Sequence, residues 1–324
     1  MDKKANQKPM KVSVYCMTFN HENYIRDTLE GFINQETDFG FEILVHDDAS
    51  ADNTRKIIQE YAEKYPDIIV PVLQEENQYS KGINIEKEYI FPKLQGQYVA
   101  VCEGDDYWCD PHKLQKQVDF LDNHPEYSAC VHNTQVLDMY KEQKRLLNSS
   151  TQPYDLQIEH VLLDGGADFH TSSVFYRMEF GKEIYSEHCP DFFNKSMEVG
   201  DYPLAIFLVL KGKVRYFPDV MSVYRLGTPD SWTDRMRDIK MQMQTERELI
   251  DILKSVDEYT NCELHAAIQP IREKRLLRIL NKGTQLNVLK SKELYEVFKR
   301  QTLTTRIKIR IKLLFLNKIR YRKM

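Results

Sequence analysis

No segment of this sequence is long and apolar enough to cross a bilayer. Its longest uncharged apolar run, Tyr202 to Leu210, is about half of what a spanning helix needs. Met1 to Met10 is polar and lysine-bearing, without the apolar stretch of a secretory signal, so a cytoplasmic protein is expected. Cysteine is sparse. Cys16, Cys102, Cys109, Cys130, Cys189 and Cys262 show no CxxC spacing, and Cys16, Cys102 and Cys130 sit inside apolar runs. That predicts reduced, mostly buried thiols rather than a disulfide framework. The histidines show no zinc-ligand spacing, so no structural zinc site is expected. There is no internal repeat and no low-complexity segment. No basic stripe interleaved with aromatics marks a nucleic-acid surface, and no such partner is expected.

What remains is an ordinary folded composition, 42% hydrophobic and 29% charged, which excludes disorder over most of the length. The 324 residues suit one main domain with a smaller appendage. Lys11 to Thr18 is β-branched and apolar and predicts a buried strand. Tyr24 to Gln35 carries Ile25, Leu29, Phe32 and Ile33 at helical spacing. Phe41 to Val45, Ile68 to Leu73 and Tyr98 to Cys102 predict further strands. Between them lie a helix starting at Asp52 to Thr54 and a helical stretch over Glu86 to Leu94. This alternation implies a largely parallel sheet with helices on both faces. Ligands of such sheets sit beyond the carboxyl ends of the strands. Three polar clusters fall there: Thr18 to Asn23, Asp47 to Ser50, and Glu103 to Asp106.

Further along, Pro111 to His124 predicts an amphipathic helix, and Tyr127 to Tyr140 one or two strands. Asp164 to Asp168 reads as a turn and Ser172 to Arg177 as a strand. Asp201 to Lys211 predicts a buried helix, with Lys213 to Phe217 and Met221 to Tyr224 as short strands. Beyond residue 230 three charged, helix-favouring segments follow: Met236 to Leu253, Glu263 to Leu280 and Lys290 to Arg300. The expected organisation is a tail over 1–10, an α/β domain over 11–230 and a helical region over 231–324.

The acidic clusters carry the chemistry. Glu103, Asp105 and Asp106 end an apolar strand, and carboxylates this close repel unless a cation or hydrogen bonds hold them. Hard oxygen ligands suit Mg²⁺ or Mn²⁺, which also bridge diphosphate oxygens. Gly104 permits close backbone approach to a ligand. Taken alone, the same residues read equally as a solvated acidic turn capping the next helix. Asp47 and Asp48 fit hydrogen bonding to a base or ribose, but also plain turn and cap chemistry.

Five segments in order resemble family 2 glycosyltransferases of the GT-A fold. They include KVSVYCMTFNHENYIRDTLEGFINQ, EILVHDDASADNTRKII, YVAVCEGDDYWCDPHKLQKQVDFLDNHPEYSACVHN, HTSSVFYR and GDYPLAIFLVLKGKVRYFPDVMSVYR, covering about Lys11 to Trp232. The resemblance implies a Rossmann-like, mostly parallel mixed sheet between helices that binds a nucleoside diphosphate sugar. Thr18 and Asn20 would contact the nucleotide, and Asp47 or Asp48 the base. Asp105 and Asp106 would hold ribose, diphosphate and metal, Mn²⁺ or Mg²⁺. Glu103 stands where the family often has the first Asp of its D-x-D. Asp201 would be the general base of an inverting transfer; without the resemblance it reads as a helix cap. Where the family often has YR-x-H, Gly227 replaces the histidine, and Arg225 is the remaining candidate for the diphosphate. Trp108 and His170 are candidates for the acceptor side, though each also fits a structural role.

The last stretch, Thr304 to Met324, alternates Arg306, Lys308, Arg310 and Lys312 with Ile307, Ile309, Ile311 and Leu313. It reads as a basic amphipathic segment on the inner face of the cell membrane, or as a solvated helix or an edge strand of period two. A membrane-facing tail would suit a lipid-linked or glycan acceptor in surface-polysaccharide synthesis. Two other functions are weighed. A nucleotidyltransferase would want a glycine-rich basic loop after the first strand, which FNHENY lacks. A degenerate, non-catalytic binding protein would tolerate loss of Asp105, Asp106 or Asp201, and all three are present.

Overall fold

The computed structural model describes residues 8–164, 168–195, 200–229, 231–282 and 289–311. The chain forms two compact units, Met1–Cys189 with Asp201–Pro229, and Pro190–Gly200 with Asp230–Met324.

The first unit is built on a ten-stranded mixed sheet. Its elements are β1 (Met10–Thr18), α1 (Ile25–Ile33), β2 (Gly40–Asp47), α2 (Thr54–Lys64), β3 (Ile69–Leu73), β4 (Tyr98–Val101), β5 (Tyr107–Trp108) and α3 (Lys113–Asn123). They continue as β6 (Tyr127–Asp138), β7 (Gln143–Leu146), β8 (Tyr154–Asp155), α4 (Ile158–Asp164), β9 (Phe175–Arg177), α5 (Met178–Ile184), α6 (Asp201–Lys211) and β10 (Lys213–Leu226). The main order is β3-β2-β1-β4-β9-β6-β10-β5, with β7 on β6 and β8 on β10. The β1–β2, β2–β3 and β1–β4 pairs are parallel, as the alternation of elements requires. Alternate residues of these strands, Val12, Val14, Cys16, Ile43, Val45 and Ala100, share one core with Ile25, Leu29 and Phe32 of α1 and Leu114, Val118 and Leu121 of α3. Period two meets period 3.6 there, and each helix buries one stripe. Cys16, Cys102 and Cys130 are buried free thiols, as their apolar neighbours predict, whereas Cys109 and Cys262 are exposed.

Several boundaries differ from expectation. β2 runs two residues past Val45, because Asp47 is paired with Thr18 on one side and Leu73 on the other. The stretch from Glu86 is a π turn over Glu86–Ile90 and a 3₁₀ turn over Phe91–Lys93, where Pro92 lacks an N–H to continue a helix. Ser172 and Ser173 belong to a 3₁₀ turn, stabilised by His170: the Ser172 N–H donates to His170 Nδ1, and the Ser173 hydroxyl to the His170 carbonyl at 2.6 Å. That leaves β9 only three residues, antiparallel to both β4 and β6. The two short strands expected after α6 are one strand, β10, whose register against β6 shifts between Phe217 and Ser222, around Pro218. The Gly165-Gly166 turn lies outside the described residues.

The second unit is helical: α7 (Trp232–Arg235), α8 (Ile239–Tyr259), α9 (His265–Lys282), α10 (Lys292–Arg300) and α11 (303–311). Ile250, Leu276, Ile279, Leu280, Leu294, Val297, Phe298 and Ile309 form its core. The period-two pattern of the basic stretch does not make a strand over 303–311. Ile309 is buried, and the Arg306 and Arg310 guanidinium groups lie 5.6 and 5.4 Å from the Phe298 ring. Leu303, Ile307 and Ile311, four residues apart, remain exposed on one face. Residues 312–324 of the basic stretch lie outside the described residues. Among the described residues no helix is long and apolar enough to cross a membrane.

Candidate active site

The parallel strands β1, β2 and β4 deliver their carboxyl ends to one edge, and the three polar clusters meet there. The loop after β1 is cross-bonded to the loop after β2. Asn20, in the left-handed region at φ 57°, donates its N–H to Ser50 Oγ, and its Oδ1 accepts from the Ala51 N–H, both at 2.9 Å. The His21 N–H donates to Thr54 Oγ1 at 2.7 Å, the Glu22 N–H to Asp52 Oδ2 at 3.0 Å, and Glu22 Oε2 accepts the Asn53 N–H at 2.9 Å. The Thr18 hydroxyl donates to the His46 carbonyl at 3.1 Å.

Asp47 and Asp48 are both buried, and their carboxylates have internal partners. Asp47 accepts from the Ser50 hydroxyl and, at 3.3 Å, from the Ser50 N–H. Asp48 accepts the N–H groups of Gln78 and Tyr79 at 2.7 and 3.0 Å and so fixes the loop after β3. Asp47 thus acts in the turn chemistry its sequence context also allowed.

Glu103, Asp105 and Asp106 follow β4, with carboxylate oxygens within 4.8 Å of one another. Asp106 is 1% exposed and Asp105 7%. Burial first, then the charges of Asp105 and Glu103, push the Asp106 carboxyl well above the usual range. Burial, Asp105 and Asp201 push Glu103 up to about 8. Three carboxyls held together against this cost make a cation-binding arrangement. Asp106 Oδ2 is buried and accepts no hydrogen bond, which fits the open valence a divalent ion would take. Gly104 makes the close approach expected of it, but to protein: a Cβ there would lie 2.4 Å from Thr18 Cγ2 and 2.9 Å from His21 Nδ1.

The end of β10 supports this cluster. The Arg225 N–H donates to Asp106 Oδ1 and its Nη1 to the Asp105 carbonyl, both at 2.8 Å. The same guanidinium pairs with Asp27 and lies 4.5 Å from the Tyr107 ring. Arg225 is therefore engaged as a brace of the acidic loop. The Thr228 hydroxyl donates to Asp105 Oδ2 at 2.7 Å, and Thr228 is 1% exposed. Sequence reasoning missed Thr228, Asp27 and Thr28, whose hydroxyl reaches the Gly104 carbonyl at 3.0 Å. Only the return of β10 to β5 could have signalled Thr228.

His170 Nδ1 lies 3.5 Å from Asp106 Oδ2 and 2.9 Å from Ser172 Oγ, and the ring stacks on Tyr224 at 4.1 Å. Burial lowers its imidazole to about 4, so it is neutral at pH 7. Trp108 corrects the expectation of an acceptor contact. Its indole is 3% exposed, packs edge-on to Phe32, and donates its Nε1–H to the Ser172 carbonyl at 2.9 Å. It is a core residue. Asp201 opens α6 at an exposed position, and its Oδ1 accepts the Tyr202 N–H at 2.9 Å. The protein atoms around its carboxyl still raise it through desolvation, and its charge is felt at Glu103.

Residues 13–184, more than half of the chain, match the model of glycosyl transferase family 2. The chain belongs to this family. Over 234 residues it is 34% identical to an uncharacterized protein of Mycobacterium tuberculosis, covering 70% of this chain and 63% of that protein. It is 37% identical over 117 residues to TuaG of Bacillus subtilis, assigned to teichuronic acid biosynthesis; the match covers 36% of this chain and 44% of TuaG. The crystal structure of Staphylococcus aureus TarS residues 1–349 in complex with UDP shares the fold. It aligns with a TM-score of 0.55 and 17% identity, covering 91% of this chain and 76% of that one. The fold is the mixed-sheet GT-A arrangement, and the acidic loop after β4 of this family 2 glycosyltransferase is its candidate metal site.

Proposed function

We propose that this family 2 glycosyltransferase moves a sugar from a nucleoside diphosphate sugar, with UDP the favoured carrier, to a hydroxyl of a glycan or lipid-linked acceptor in surface-polysaccharide synthesis. Residues 11–230 form the transferring domain and 231–324 a helical accessory region. The observation that carries the reading is the trio of half-buried Glu103 and buried Asp105 and Asp106, braced by Arg225 and Thr228, with one Asp106 oxygen accepting no hydrogen bond. The UDP complex of TarS supports the choice of carrier.

Asp105 and Asp106 would hold Mn²⁺ or Mg²⁺, and the ion would supply positive charge to offset that of a departing diphosphate. Thr18, Asn20, Asp47 and Asp48 shape the nucleoside end through the bonded loops after β1 and β2. Neutral His170 hydrogen-bonds on the acceptor side. The acceptor oxygen forms the new bond to the anomeric carbon as the carbon–oxygen bond to the diphosphate breaks on the opposite face. Asp201 takes the hydroxyl proton; its raised affinity for protons suits a base. Displacement from the opposite face inverts the anomeric centre.

Thermal shift with UDP, GDP and CDP, each with Mn²⁺ or EDTA, tests the donor site. One nucleotide should raise the melting temperature, and EDTA or Asp106→Asn should abolish the rise. No shift with any of them refutes the reading. Asp201→Asn should bind donor normally yet lower kcat by about 10²–10⁴; an unchanged kcat makes Asp201 a cap only.

The exposed face of Leu303, Ile307 and Ile311, beside Arg306, Lys308 and Arg310, supports peripheral contact with an anionic membrane. Cosedimentation with phosphatidylserine vesicles should be salt-sensitive and lost on replacing the three apolar residues with serine. Equal binding to neutral vesicles would refute it.

A further inference from the structure

The turn joining α8 to α9 has a defined cap. The Cys262 N–H donates to the Asp257 carbonyl at 2.8 Å and the Asn261 N–H to the Glu258 carbonyl at 3.1 Å. Asn261 takes the left-handed conformation at φ 51° that such a helix end requires, and asparagine tolerates it better than most residues. The His265 N–H then donates to the Cys262 carbonyl at 3.2 Å and opens α9. This wrapping gathers three side chains of unlike chemistry. One ligand atom each from Asp257, Cys262 and His265 lies within 4.8 Å of the other two. His265 Nδ1 is 2.6 Å from Asp257 Oδ2. The other oxygen of that carboxylate, Oδ1, is buried with no hydrogen-bond partner, on a residue 7% exposed. A buried carboxylate oxygen left so is costly unless a cation or donor satisfies it.

We propose that Asp257, Cys262 and His265 form a transition-metal site of the Zn²⁺ class, separate from the acidic loop of the first unit. A thiolate, an imidazole nitrogen and a carboxylate are ligands that Zn²⁺ accepts, whereas Mg²⁺ and Ca²⁺ avoid sulfur. Thiolate and carboxylate charges balance the dication. Tetrahedral bonds at zinc place sulfur and nitrogen about 3.6 Å apart. Cys262 and His265 are exposed, and rotamer adjustment closes the remaining gap, the His265–Asp257 hydrogen bond being exchanged for bonds to the metal. Three protein ligands leave the fourth position to water or to a group from another molecule. The order D-x₄-C-x₂-H departs from the familiar cysteine–histidine spacings, which is why the sequence did not announce a zinc site. The assignment does not depend on the transferase reading.

The test is Co²⁺ titration of the metal-free full-length chain. One equivalent should give the near-ultraviolet absorption of a cobalt–thiolate bond with visible bands of a tetrahedral ion, displaced by Zn²⁺ and unaffected by excess Mg²⁺. Cys262→Ser and His265→Ala should each abolish the thiolate band; Cys262→Ser keeps the metal-free melting temperature, its side chain being exposed, whereas His265→Ala also removes the partner of the buried Asp257 carboxylate and lowers it. Cys109→Ser, which removes the other exposed thiol, should leave it intact. Absence of the band in the unsubstituted chain, or its survival in Cys262→Ser, overturns the proposal.

Discussion

Thr228→Val isolates a single hydroxyl beneath the acidic loop. Valine keeps the shape of threonine, so packing is conserved and only the donor to Asp105 Oδ2 at 2.7 Å is lost. Thr228 is 1% exposed, so water does not replace it readily. Leaving a buried acceptor without its donor costs about 1–3 kcal/mol. In a unit of this size each kcal/mol moves Tm by roughly 2–4 °C, which gives a fall of about 2–12 °C in metal-free protein. Differential scanning calorimetry in EDTA at neutral pH reads it, with Thr228→Ser as the variant that keeps the hydroxyl. Donor affinity measured by calorimetry with Mn²⁺ and UDP should fall in the valine variant alone. Valine and serine variants with indistinguishable Tm and affinity would refute the support assigned to Thr228.

The acidic loop should also set a pH dependence. Burial raises Glu103 to about 8 and Asp106 well above its ordinary value, so the folded protein keeps protons that the unfolded chain has lost. Stability of the metal-free protein therefore falls as pH rises from the ordinary glutamate range toward about 8. Mn²⁺ with UDP should flatten that slope by favouring the ionised carboxylates, and a flat metal-free profile would contradict the assignment. Gly104→Ala forces its Cβ to 2.4 Å from Thr18 Cγ2. Overpacking of this kind costs about 1–3 kcal/mol in denaturant titration, and the shifted β1 loop should weaken UDP binding too; wild-type stability would show that the loop yields freely.

The first half of the sheet was legible because local pattern and tertiary role agree there. Val12, Val14 and Cys16 alternate, Ile25, Leu29 and Phe32 follow helical spacing, and both patterns face one core. The convergence of Thr18, Asp47 and the acidic loop followed from strand–helix alternation alone. The rest depended on contacts distant in sequence. Phe175 to Arg177 forms a short antiparallel strand only because β4 and β6 flank it, while His170 holds Ser172 and Ser173 in a turn. Trp108 looks like a ligand platform beside two aspartates, yet Phe32 and Ser172 enclose it. Arg306 to Lys312 alternates like a strand, but Phe298 gives Ile309 and the flanking arginines a helical neighbour. Arg225 and Thr228 reach the acidic loop across about 120 residues, a separation no local pattern reports.

The loops after β1 and β2 are bonded to each other at Asn20, His21 and Glu22 on one side and Ser50 to Thr54 on the other. Their shape is fixed at folding, so a nucleoside docking there, as proposed, would order neither, and little conformational entropy would be lost on its arrival. The same bonding couples their evolution. A substitution that reshapes one loop strands the polar groups of the other, so the two loops cannot be altered independently.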